Sequence, residues 1–131
     1  MKNNYGIRDN LFNDMINEFK KTNIEKVILF GSKARNDYKY NSDIDLAIIF
    51  TSNDNYIKIL TKLENLNTLY KFDIIDYNKI TNIKLKDEID KDGKIIYIKK
   101  SYIIYNLFYF LITSSTFCNI WGFCIICSSC I

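Results

Sequence analysis

The chain of 131 residues contains no histidine. That absence removes histidine acid/base catalysis, phosphohistidine chemistry and imidazole ligation of metals together, and it leaves carboxylates as the groups able to carry chemistry. Proline is absent as well, so turns are set by other residues. Basic residues barely outnumber acidic ones, 18 Lys+Arg against 15 Asp+Glu for a formal net charge of +3. They form no cluster that would track a nucleic-acid backbone, so no direct nucleic-acid partner is expected. The first residues are polar and lack an apolar stretch, so no N-terminal signal peptide is expected and the reading is cytoplasmic. Charge is missing altogether from the end: no charged residue lies between Ser101 and Ile131.

What remains is one modest domain by length, and hydrophobic periodicity orders it. Leu11, Met15, Ile16 and Phe19 fall at helical spacing within residues 8–22. Residues 25–30 read as a strand, and residues 44–50 as a second strand, apolar on both faces and so central and covered on both sides. Ile57, Leu60, Leu63 and Leu66 mark another amphipathic helix, followed by a strand at 72–77. A last helix over 80–91 ends towards Gly93, a suitable residue for a helix C-terminus, and KIIYI at 94–98 closes the series. The order predicts a small α/β (α+β) domain with a mixed sheet flanked by helices. It occupies residues 1–100, with 101–131 set apart as a tail.

Within that frame the stretch LFGSKARNDYKYNSDIDLAIIF stands out. Gly31 and Ser32 form a small-residue turn at which backbone N–H groups can approach a phosphate, and a short helix after Ser32 would face an anion with its N-terminus. Ten residues later come Asp43 and Asp45. At i and i+2 of a strand, two side chains share a face. Adjacent carboxylates repel unless a cation bridges them, and a hard divalent ion completed by substrate phosphates resolves the conflict, magnesium being the usual one. Metal-dependent transfer at phosphorus is the chemistry these residues suggest.

The stretch resembles the signature of the minimal nucleotidyltransferases, a branch of the DNA polymerase beta-like superfamily: an apolar strand (Val27 to Phe30), Gly31-Ser32, ten residues, Asp43-Ile44-Asp45, and a third Asp on a neighbouring strand. Ala34 and Arg35 match the Ala-Arg-Gly run common after the family's Gly-Ser. Asn36 replaces its Gly, and Asn tolerates left-handed backbone geometry. The third carboxylate fits Asp73, at the start of its strand. Asp76 lies three residues on, and alternation puts it on the opposite face. The resemblance covers about residues 7–98. It implies a polymerase beta-like nucleotidyltransferase fold and ATP as donor, with Asp43 and Asp45 binding Mg2+ that bridges the nucleotide phosphates. Gly31 and Ser32 would cradle the departing pyrophosphate. Asp73 would complete a second metal position and help deprotonate the acceptor hydroxyl. Arg35 either contacts the phosphates or ties down the turn, and Lys33 reads as a solvated lysine.

Template-directed polymerases and tRNA-tailing enzymes need further domains to hold a polynucleotide, and 131 residues leave no room for them. Single-domain members of the family are often antitoxins that transfer AMP to a tyrosine of a helical HEPN-type toxin, and such a toxin is the partner the resemblance implies. Two alternatives stay open: a small-molecule adenylyltransferase of the aminoglycoside type, and a non-catalytic protein that masks a toxin by contact. The tail has three readings. It is long and uncharged enough for a membrane segment, although Thr113 to Thr116 and Asn119 divide it; Lys99 and Lys100 would then keep the domain cytoplasmic. It could pack on a partner, or be a frameshift or read-through product. Cys118, Cys124, Cys127 and Cys130 all lie in it, either as thiolate ligands for zinc or an iron–sulfur cluster or as small apolar residues.

Overall fold

A computed structural model describes residues 3–52 and 56–100. The residues up to Lys99 form one compact unit. Its elements are α1 (Asp9–Lys20), β1 (Ile24–Phe30), α2 (Gly31–Arg35), β2 (Ile44–Phe50), α3 (Tyr56–Glu64), β3 (Phe72–Asp76), a 3-10 turn (Tyr77–Lys79), α4 (Ile83–Asp92) and β4 (Lys94–Ile98). The readings of the tail and its cysteines lie outside the described residues. Among the described residues no helix is long and apolar enough to cross a membrane.

The four strands make one sheet in the order β3-β2-β1-β4. β1 pairs antiparallel with β2 and with β4, whereas β2 and β3 run parallel, a geometry that requires a crossover, here through α3. The sheet is therefore mixed, as expected, and β2 lies between neighbours on both sides. Alternation along the strands sends side chains to two cores. Val27, Leu29, Leu46 and Ile48 meet Met15 and Phe19 of α1 and Ile59 and Leu63 of α3 in the larger one. Ile28, Phe30 and Ala47 meet Ile89 of α4 in the smaller one. α1 carries Asp9 in its first turn and Lys20 in its last, an arrangement that complements the helix dipole.

Two helices differ from the periodic reading. In α3 the buried residues are Ile59 and Leu63, Ile57 is 74% exposed, and Leu66 lies beyond the helix end. Ile57, Leu60, Leu63 and Leu66 are spaced by three throughout, and a strict three-residue repeat drifts around a 3.6-residue helix; the pair at i and i+4 is what meets the core. The last helix starts later than residue 80, because Asn82 caps it by accepting hydrogen bonds from the amides of Lys84 and Leu85. At its other end Gly93 does not adopt the left-handed conformation, having φ −63°. It is small for another reason: a Cβ there would meet the Ile89 carbonyl and the side chain of Ile28.

Candidate functional site

β1 ends at Phe30 and the chain turns directly into α2. Gly31 makes that turn with φ +72°, a left-handed conformation that L side chains reach only with strain. Space imposes the same choice, since a Cβ on Gly31 would overlap the carboxylate of Asp45. The N-cap residue Phe30 supplies no capping side chain, and the first-turn amides of a helix have no intrahelical acceptors. The turn closes at Asn36, left-handed at φ +62° as the Asn-for-Gly replacement predicts, with the Asp37 amide donating to the Ser32 carbonyl at 3.1 Å.

One carboxylate, Asp45, lies against this turn, and the charges of two more, Asp43 and Asp73, reach it. Asp43 is exposed and stands one residue ahead of β2, and Asp45 is the partly buried second residue of that strand. Asp73 is the exposed second residue of β3. In the parallel ladder Asp45 and Asp73 are register partners, and across the antiparallel ladder Asp45 faces Phe30. Phe30 belongs to the smaller core together with Ala47, two residues after Asp45. Register partners project to one face, so both aspartates lie on the α4 side of the sheet, at the edge next to Gly31. Asp76 pairs instead with Ile48. Its carboxylate accepts from the Asn78 amide and meets Lys79 at 3.3 Å, so it serves the 3-10 turn.

The charges at this edge are in conflict. The Asp45 carboxyl is pushed above the usual carboxylate range, first by burial and then by the charges of Asp73 and Asp43, while Arg35 and Lys33 pull it back. Arg35 itself is paired with Asp37 at 3.2 Å. Its charge still reaches Asp45. Among the described residues no three His, Cys, Asp or Glu side chains form a group that could hold an ion by themselves. Magnesium is ordinarily held by one or two carboxylates plus substrate phosphates rather than by an all-protein cage. The all-oxygen, mutually repelling donor set of Asp43, Asp45 and Asp73 fits that ion.

Lys33 is where sequence reasoning failed. It was expected in solvent, yet its relative exposure is 0%. A five-residue helix is too short to show a periodicity, so no pattern marked Lys33 as inward-facing. A cavity of about 290 Å³ opens among the loops beside it, lined by residues that include Arg8, Tyr40, Asn41 and Tyr70. Asp43, Asp45 and Asp73 do not line that cavity; they stand on an open rim of the sheet.

A turn forced against one carboxylate and two more carboxylates beside it on one sheet edge agree with a family-level match. Residues 13–102 match the profile of the family described as Polymerase beta, Nucleotidyltransferase. The chain belongs to that family. Among curated proteins this nucleotidyltransferase domain is similar to three from Methanocaldococcus jannaschii named "Putative protein adenylyltransferase". One is 35% identical over 71 residues, 54% of this chain and 53% of its own length. A second is 31% identical over 81 residues, 60% of this chain and 81% of its own length, and a third is 37% identical over 82 residues, again 60% and 81%. The chain thus spans about half the length of the first of these relatives and about four fifths of the other two. Solved structures share the fold. A toxin-antitoxin structure with AMP-PNP matches with a TM-score of 0.54 at 18% identity, covering 82% of this chain and 95% of that one. A tri-AMPylated Shewanella oneidensis HEPN toxin in complex with MNT antitoxin matches with a TM-score of 0.51 at 17% identity, covering 88% and 91%.

Proposed function

We propose that this domain is a magnesium-dependent adenylyltransferase that moves AMP from ATP to a tyrosine hydroxyl on a HEPN-type toxin, acting as that toxin's antitoxin. The observation that carries the reading is the register of Asp45 with Asp73 at the edge where Gly31 presses its backbone against Asp45. Supporting it are the family, the adenylyltransferase names of the relatives, and the toxin-antitoxin complexes among proteins of the same fold.

The division of labour follows from position. Gly31 and Ser32 present the start of α2 to the β- and γ-phosphates, as helix N-termini do. Asp43 and Asp45 would hold the magnesium ion and, with it, the triphosphate beside that turn. Magnesium, when bound, neutralises charge on the phosphates and on the leaving group. Asp73, across the ladder from Asp45, takes the proton of the acceptor hydroxyl and aims its oxygen at the α-phosphorus. The new bond joins that oxygen to the α-phosphorus, the bond from the α-phosphorus to the bridging oxygen breaks, and pyrophosphate leaves. The carboxylates stand on an open rim, which suits an acceptor presented by a second protein.

Incubating the chain with a HEPN-type toxin encoded beside it, ATP and magnesium, and weighing the toxin by mass spectrometry, tests the proposal. One AMP on a tyrosine, with ribonuclease activity falling in step and both effects lost in Asp43→Asn, is the expected result. Silencing without added AMP would show a non-catalytic mask. AMP on an aminoglycoside instead would show a small-molecule enzyme.

A further inference from the structure

Lys33 follows the Gly31-Ser32 turn directly, and its side chain is fully buried. The ammonium lies 4.5 Å from the ring centroid of Tyr70 and 4.9 Å from that of Tyr38. It donates to the Gly6 carbonyl at 3.4 Å. Tyr38 packs directly against Gly6: the φ of Gly6 is +64°, and a Cβ there would collide with the edge of the Tyr38 ring and its hydroxyl. One cation thus joins three segments outside the strand ladders, namely the stretch before α1, the α2–β2 loop and the α3–β3 connection. Tyr38 stands five residues before Asp43, and Tyr70 three before Asp73.

Burying an ammonium costs far more than burying an apolar side chain of the same length, unless its environment compensates. Here two ring faces, a carbonyl and the nearby Asp45 charge do so, and burial still pushes the amine below its ordinary range while Asp45 pulls it up. A methionine would fill the same volume without that cost. What the charge adds is simultaneous attraction to two rings on two different loops.

We infer that Lys33 is a positioning residue: through Tyr38 and Tyr70 it clamps together the loops that deliver Asp43 and Asp73 to the sheet edge beside Gly31. The inference rests on the reading of those aspartates as the reactive edge, but the clamp can be measured without any nucleotide. In the full chain, free of metal, amide hydrogen exchange over residues 36–43 and 67–72 should accelerate about tenfold in Lys33→Met and in Tyr70→Leu, as local opening becomes easier. Tyr70→Phe keeps the ring face and should exchange like the wild type. The magnesium concentration for half-maximal AMP transfer should rise several-fold in the first two variants and not in the third. Wild-type exchange in Lys33→Met, or a Tyr70→Phe variant as disturbed as Tyr70→Leu, would overturn the inference. If Lys33→Met does not fold, the Tyr70 pair decides alone. Absence of transfer in the wild type counts against the proposed function, and the exchange comparison still judges the clamp.

Discussion

Gly31 and Asn36 open and close the same turn, both left-handed, at φ +72° and +62°; Gly31→Ala puts a new Cβ on a left-handed position, whereas Asn36 already carries one and Asn36→Ala removes only the side-chain amide that eases that conformation. For an L residue with a Cβ the left-handed penalty is about 1–2 kcal/mol. In a domain of this size each kcal/mol lowers the melting midpoint by roughly 4–8 °C. The two variants diverge also in what the Cβ meets. At Asn36, exposed in the loop, the Cβ is there already. At Gly31 it overlaps the Asp45 carboxylate. That carboxylate is the far end of a rotatable side chain and swings aside at little cost to the fold.

The collision should therefore show in function and hardly in stability. A misplacement of about 1 Å at a reacting centre can cost on the order of 100-fold in rate, and if Asp45 holds the metal as proposed, its displacement should also weaken binding of ATP with magnesium. Melting curves followed by circular dichroism should show the larger loss for Gly31→Ala, about 4–16 °C for a penalty of about 1–2 kcal/mol, and a smaller one for Asn36→Ala. Calorimetric titration with ATP in excess magnesium, together with the AMP-transfer assay, should separate them: Asn36→Ala close to the wild type, Gly31→Ala weaker in binding and about 100-fold slower. A Gly31→Ala protein that transfers AMP at the rate of Asn36→Ala would refute the placement of Asp45 against the phosphate turn.

Asp45 carries a raised carboxyl pKa, so between the unfolded value near 3.9 and that raised value the folded state keeps a proton the unfolded state has lost. Stability from this group falls as pH rises through that window. Asp45→Asn should accordingly melt higher than the wild type at pH 7 without metal, the gap closing on acidification, while transfer is lost. Millimolar magnesium with ATP should raise the wild-type midpoint by ligand linkage and leave that of Asp45→Asn unmoved. Asp73→Asn should abolish most transfer, whereas Asp76→Asn, which removes only the Asn78 and Lys79 contacts of the 3-10 turn, should keep transfer and lower the melting point modestly; equal loss in both would void the choice between them. A chain ending at Lys100 should fold and transfer AMP as the full chain does, because the compact unit runs to Lys99; failure to melt cooperatively would make residues 101–131 part of the core.

The strands were legible because their constraint is local. Residues 44–50 are apolar on both faces, and β2 does lie between two neighbours with cores above and below. Alternation also separated Asp73 from Asp76 correctly, since a step of three along a strand reverses the face, and the register partners Asp45 and Ile48 confirm it. The helices were less legible where several registers compete. In α3 the apolar residues permit both a three-residue and a four-residue repeat, and only contact with the sheet selects Ile59 and Leu63. The start of α4 was decided by a cap, the Asn82 side chain, in a stretch where every neighbouring register is equally polar.

Gly31, Ser32, Asp43 and Asp45 could be proposed from spacing, and Asp73 from the family resemblance, because each sits at a strand end or in the turn after it, where sequence distance converts directly into position. The environment of Lys33 could not. Its partners lie 27 residues before it and 5 and 37 after it, on loops that meet only once the sheet has formed. The substitution of Asn for Gly at 36 was readable for the opposite reason: a left-handed residue is a property of one backbone position, and Asn meets it alone. Lys33 differs from the carboxylates at this edge in being fully buried, yet its charge reaches Asp45. The same positive charge that holds Tyr38 to Tyr70 also pulls Asp45 towards its ionised form, against the desolvation and repulsion that push it the other way. If Lys33 clamps these loops, Lys33→Met should therefore disturb loop order and, to a smaller degree than burial, Asp73, Asp43 and Arg35 set it, the charge of Asp45.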